Sequence, residues 1–106
     1  MNKSMASKIS TSLIISTYNR SDALELCVKS VLRQSLLPDE IIIADDGSKE
    51  DTRELIHQLA ASSEVPIIHV WHEDLGFRLA SIRNKAIAKA SKEYIIQIDG
   101  DIVLHK

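Results

Sequence analysis

The sequence predicts an α/β fold: a Rossmann-like open, mostly parallel sheet with helices on both faces. Two patterns predict it. Four short runs are rich in isoleucine and continuous in apolarity, as strands buried on both faces should be. Between them lie longer segments whose apolar residues recur at helical spacing, and such alternation builds a parallel sheet with its crossover helices packed on it. The 106 residues form one domain, large enough to bury roughly two thirds of the surface its unfolded chain exposes.

Each element follows from a local signal. The opening "MNKSMASK" (1–8) lacks the apolar stretch of a signal peptide and reads as a disordered leader before a domain spanning 9–106. "SLIIS" (12–16) is the first strand. A helix over 22–34 places Leu24, Cys27, Val28, Val31 and Leu32 on one stripe, with Ser21 as its N-cap, and Pro38 closes the following connection. "EIIIAD" (40–45) is the second strand. The second helix starts near Ser48, where "SKED" has the form of a capping box, and turns Leu55, Ile56, Leu59 and Ala60 inward. "PIIHVW" (66–71) is the third strand, and a helix over 78–90 carries Leu79, Ile82, Ala86 and Ala90 at helical spacing. "YIIQID" (94–99) is the fourth strand. No internal repeat or low-complexity tract interrupts the series.

Composition narrows the function by exclusion. Apolar residues make up 44% of the chain and charged residues 26%, which opposes disorder and a disulfide framework. The formal net charge is -2 and the Lys and Arg residues are scattered, so no basic surface exists for nucleic acid. The lone Cys27, between Leu26 and Val28, has no internal disulfide partner and fits a reducing compartment. With no cationic neighbour to lower its pKa, it reads as a buried structural thiol. No stretch approaches the roughly twenty apolar residues of a membrane span.

In open α/β sheets, ligands bind beyond the carboxyl ends of the strands. At those ends this chain places "TYNR" (17–20), "DDGS" (45–48), "HEDLGFR" (72–78) and "DGD" (99–101). Taken singly, "DGD" is a turn, "DDGS" a turn with a helix cap, and Tyr18 a packing residue. Their convergence on one edge favours a shared binding rim instead. The remaining polar residues have structural readings. His69 and His72 point to different faces and lack a third metal ligand. His57 lies on an exposed helical face, Arg78 and Lys85 face solvent, Trp71 is a core or rim residue, and His105 takes no role.

The stretches "SLIISTYNR", "IIIADDGSKEDT", "GFRLASIRNKAI" and "YIIQIDGD" together resemble the nucleotide-binding half of an inverting glycosyltransferase of family 2, which has the GT-A fold. "HEDLGFRLASIRNKAI" resembles most closely the N-terminal transferase domain of chondroitin polymerase-like proteins. The resemblance implies a nucleotide-diphosphate sugar donor, commonly a UDP-sugar, a saccharide acceptor, and a divalent metal, manganese or magnesium. It also implies cytoplasmic polysaccharide biosynthesis for the cell envelope, with peripheral association at the inner face of the membrane and a homodimer left open.

Residue by residue, the resemblance implies that Tyr18 stacks beside the uracil, Ser16 or Thr17 contacts the base, and Asp46 hydrogen-bonds it. Arg20 belongs to the same nucleotide-binding set, and Arg83 lies near the base or the diphosphate. Asp99 reaches the ribose, and Asp101 ligates the metal that bridges the phosphates. The chemistry calls for such groups: a diphosphate leaving group gathers negative charge as the C–O bond breaks, and a hard cation with oxygen ligands stabilises it. Magnesium or manganese needs only one or two protein carboxylates, and Gly100 leaves room for close approach of the nucleotide.

Inverting transfer also needs a general base, which in the family lies downstream of the Asp-x-Asp motif with most of the acceptor site. Both are expected to be absent, so no catalytic residue is assigned in this chain. The expectation is an incomplete transferase, weak in donor binding, with apolar surface left exposed on the fourth strand. A sugar-phosphate nucleotidyltransferase would need a glycine-rich loop where "STYNRSD" stands. A signalling receiver domain would want its acid pair after the first strand, and a non-catalytic nucleotide-binding module stays open.

Overall fold

The structure, a computed structural model, describes residues 9–74, 76 and 78–102. The leader 1–8 and His105 lie outside the described residues. The elements run β1 (Thr11–Thr17), α1 (Ser21–Leu32), β2 (Glu40–Asp45), α2 (Glu50–Ser62), β3 (Ile67–Trp71), α3 (Leu79–Lys89) and β4 (Tyr94–Asp99). All strands pair in parallel, in the order β3-β2-β1-β4. The chain steps outward from β1 through β2 to β3 and then returns to the other side of β1. This reversal puts a topological switch point between β1 and β4, where strand connections diverge and leave a crevice. A receiver-type sheet would instead place β1 between β2 and β3.

Strand alternation divides the core between two faces. Leu13 and Ile15 of β1 and Ile41 and Ile43 of β2 pack against Leu24, Cys27, Val28 and Val31 of α1 and Ile56 and Leu59 of α2. On the opposite face Ile14, Ile42 and Ala44 meet Ile82 and Ala86 of α3. Each of the fully buried isoleucines contributes about 2 kcal/mol of transfer free energy. β1 and β2 have partners on both edges and both faces, so their apolarity is continuous. Helices cover both faces, as the alternation predicts.

Four local expectations need correction. Ser21 does not cap α1: it is the first helical residue, Arg20 holds the N-cap position, and the Ser21 hydroxyl donates to Asp51 at 3.2 Å. The capping box at Ser48 does not form either. Lys49 is the N-cap of α2, while Ser48 accepts the Asn19 N–H at 2.7 Å and gives its own N–H to Asp45 at 2.9 Å. Tertiary contacts have claimed both serines. β3 is only half-buried, and β4 is exposed along most of its length. Both are edges of the sheet, so apolar runs that read as doubly covered have open neighbours. Tyr94, Ile95 and Ile96 stand in solvent, as the exposed apolar surface expected on the fourth strand requires.

At the amino ends of the strands a buried acid ties the sheet together. Glu40 accepts hydrogen bonds from the Ser12 hydroxyl at 2.6 Å, the Ser91 N–H at 2.8 Å and the Ser91 hydroxyl at 3.0 Å. Desolvation pushes its pKa up, but these hydrogen bonds outweigh that and hold it below the usual carboxylate value.

Candidate functional site

β1 and β4 lie side by side with Ser16 opposite Asp99, so the chain leaves both strands at the switch point. The Gly100 N–H donates to the Ser16 carbonyl at 2.7 Å. A Cβ at Gly100 would stand 2.6 Å from that same oxygen, so glycine is what lets the two strand ends touch. The Ser16 hydroxyl donates to Asp99 Oδ1 at 3.1 Å, and the Arg83 guanidinium reaches the same oxygen from α3 at 3.1 Å.

A shallow cleft of about 200 Å³ opens there, lined by Ser16, Thr17, Tyr18, Arg20, Leu79, Asp99, Gly100 and Asp101. Every sequence-predicted site residue except Asp46 and Arg83 lines it, and Arg83 is joined to it through Asp99. The two carboxylates differ in availability. Asp99 is engaged by Ser16 and Arg83, whereas no described residue hydrogen-bonds the exposed Asp101 side chain. An exposed carboxylate beside a second acid suits a hard cation that completes its shell with phosphate oxygens and water. No cluster of three or more metal-binding side chains occurs among the described residues.

Asp46 floors a second, smaller cleft of about 110 Å³, lined by Tyr18, Asp46, Asp74 and Gly76. Tyr18 is common to both. Asp46 is 2% exposed. His72 Nε2 donates to one of its oxygens at 2.5 Å and the Arg78 N–H to the other at 2.9 Å. Lys85 Nζ lies 3.1 Å from His72 Nδ1. An ammonium has only donors, so Nδ1 accepts and the imidazole proton sits on Nε2, facing Asp46. Lys85 therefore does more than face solvent.

The neighbouring Asp45 is fully buried and structural. It holds His69 Nε2 at 2.8 Å and the Ser48 N–H. Asn19, at φ +47°, braces the first loop against the acid loop: its N–H donates to Ser48 and its side-chain oxygen accepts the Lys49 N–H at 2.9 Å.

Sequence reading set Asn19, His72 and Asp74 within the converging segments but gave them no part in the site, and it left Lys85 to solvent. The usable signal was strand pairing. Asp45 lies opposite Trp71, which sets His69 and His72 beside the two acids, but register across a crossover is not visible in a one-dimensional pattern. Tyr18 donates to Asp74 Oδ2 at 2.7 Å. That hydrogen bond is the main cause of both a raised Tyr18 pKa and a lowered Asp74 pKa. Trp71 is a rim residue, half exposed, with its indole N–H given to the Ser48 carbonyl at 3.1 Å. Cys27 is buried beneath the site, and burial, with a smaller contribution from the charge of Asp101, pushes its thiol up to about 11.

Larger hollows of about 600 and 500 Å³ lie between α2 and β3, lined in common by Glu50, Arg53 and His69. They lie away from the switch point, and only β3 contributes a strand to them. Convergence of strand ends outweighs volume as an indicator of function in this class of sheet.

The sequence description of glycosyl transferase family 2 matches residues 12–106. Among curated relatives, chondroitin synthase of Escherichia coli is 34% identical over 92 residues, covering 86% of this chain and 13% of that protein. Validoxylamine A glucosyltransferase of Streptomyces hygroscopicus subsp. limoneus is 33% identical over 94 residues, covering 87% of this chain and 20% of its own length. The chain therefore spans a small part of these relatives. Among solved structures, S. aureus TarS 1–349 in complex with UDP-GlcNAc superposes with a TM-score of 0.76 at 22% identity, over 88% of this chain and 27% of that one. At that identity the likeness establishes the fold.

Proposed function

The chain belongs to glycosyl transferase family 2 and carries the sheet of its GT-A fold, and from that premise we propose that it is the donor- and metal-binding half of an inverting glycosyltransferase. The donor is a nucleotide-diphosphate sugar, a UDP-sugar by preference, and the acceptor a saccharide. The relatives support this: one is a chondroitin synthase, another a glucosyltransferase, and TarS is crystallised with UDP-GlcNAc. The observation that carries the reading is the switch-point cleft, which gathers Ser16, Thr17, Tyr18, Arg20, Asp99, Gly100 and Asp101 on one surface.

In this reading the nucleobase enters the narrow cleft over Asp46, whose carboxylate accepts a hydrogen bond from an imide N–H, and packs against Tyr18. Ser16 or Thr17 contacts the base from the end of β1. Asp99, oriented by Ser16 and Arg83, receives the ribose hydroxyls. Arg83 and Arg20 offset phosphate charge. Asp101 would hold manganese or magnesium, which when bound supplies charge neutralisation for the departing diphosphate. The exposed oxygens of Asp101 are the group free to do so. We place the catalytic base and the acceptor site in sequence that the relatives have beyond the stretch this chain matches, and we assign no base within it.

Calorimetric titration of UDP with and without manganese tests the assignment. Binding should need the metal, and Asp101→Ala should weaken it at least tenfold while leaving the melting temperature within about two degrees, as for an exposed side chain. Metal-independent affinity would refute the role given to Asp101.

A further inference from the structure

Asp74 and Gly76, which lie between β3 and α3, line one wall of the cleft over Asp46. We propose that Asp74 is a positioning residue for nucleobase recognition, fixing the Tyr18 ring against which the base packs. The inference deepens the donor-site reading above and rests on it.

Tyr18 sits on the loop after β1 with 44% of its surface exposed, so core packing alone does not hold the ring. Its hydroxyl donates to Asp74 Oδ2 at 2.7 Å. Asp74 is itself held from two directions. Its other oxygen accepts the Gly76 N–H at 3.2 Å, and its backbone presses on the acid loop so closely that a Cβ at Gly47 would stand 2.6 Å from its N, Cα and Cβ. The carboxylate thus divides its oxygens, one for its own turn and one for the tyrosine. The same segment fixes the floor of the cleft, through His72 and the Arg78 N–H on Asp46. Both surfaces that would meet a base are therefore oriented before one arrives, and preorganisation lowers the entropic cost of binding.

The test compares UDP with inorganic pyrophosphate, a probe without a base, each titrated with manganese into wild type, Asp74→Ala, Asp74→Asn, Tyr18→Phe and the Asp74→Ala/Tyr18→Phe double variant. Asp74→Ala and Tyr18→Phe should each weaken UDP about fivefold, and the double variant should be no weaker than either single one. Asp74→Asn keeps an accepting oxygen and should recover affinity to within about twofold. Pyrophosphate affinity should not change in any of them. Equal losses for both probes would mean a general structural role, and loss in Asp74→Ala without loss in Tyr18→Phe would mean direct contact with the base; either overturns the inference.

A ligand-free measurement stands beside these. In a Tyr94→Phe background, Asp74→Ala should lower the pH at which Tyr18 ionises, and an unchanged titration would remove the tether. Wild type that binds no UDP sinks the donor-site reading and the inference with it. Wild type that binds UDP indifferently to Asp74 sinks the inference alone.

Discussion

Gly100 owes its identity to a contact, not to flexibility. The Ser16 carbonyl occupies the space a side chain would need. Gly100→Ala should force β1 and β4 apart at their carboxyl ends, with about 1–3 kcal/mol lost to overpacking. Thermal melting should show that loss, and metal-dependent UDP binding should fall with it because Asp99 and Asp101 flank the displaced residue. The sequence exposed Asp99, Asp101 and Tyr18 through their position after apolar runs. It could not expose Asp74 or Lys85, whose partners are set by loop geometry: a Tyr–Asp or Lys–His contact across 56 or 13 residues leaves no periodic trace.

Among the elements, the strands and helices were legible because period and burial agree in them. The sheet edges were not, since an isoleucine run looks alike whether a neighbour covers it or not. Helix starts failed for another reason: Ser21 and Ser48 carry capping chemistry but spend it on Asp51 and Asn19. The Glu40 clamp also escaped reading, as a buried acid at a strand start resembles a surface one.

Glu40→Ala would strand the Ser12 hydroxyl and the Ser91 N–H without an acceptor and should cost about 2 kcal/mol. Because the folded-state pKa of Glu40 lies below its unfolded value, its contribution is complete above the ordinary carboxylate pKa. It is lost as pH falls through the folded value. Denaturant titrations of wild type and Glu40→Ala should therefore differ at neutral pH and converge in acid. A gap that persists at the lowest pH would disprove the clamp.

For the molecule as a whole, the strand order matters more than any motif. Placing β4 beside β1 sets Asp99 and Asp101 next to the loop that follows β1, with the acid-bearing end of β2 on the other side of that strand. Among the described residues it also leaves the outer flank of β4 without a partner strand, with Ile95, Ile96 and Tyr94 in solvent. Among the described residues no helix is long and apolar enough to cross a membrane, and the strand order makes this surface a sheet edge. Such an edge templates pairing. Sedimentation velocity should show association that rises with concentration, and Ile96→Lys should reduce it by adding charge to the flank. A wild-type chain that stays monomeric at all concentrations would contradict this expectation.

Among the described residues, Tyr18 is the only side chain that borders both hollows of the rim. In the proposed reading, the corner reading the letter of the nucleotide and the corner gripping its charged tail share a single aromatic partition, while their other walls come from different loops. A designer seeking a donor with another base could rework the Asp46 and Asp74 side alone. The grip on the pyrophosphate would carry over intact.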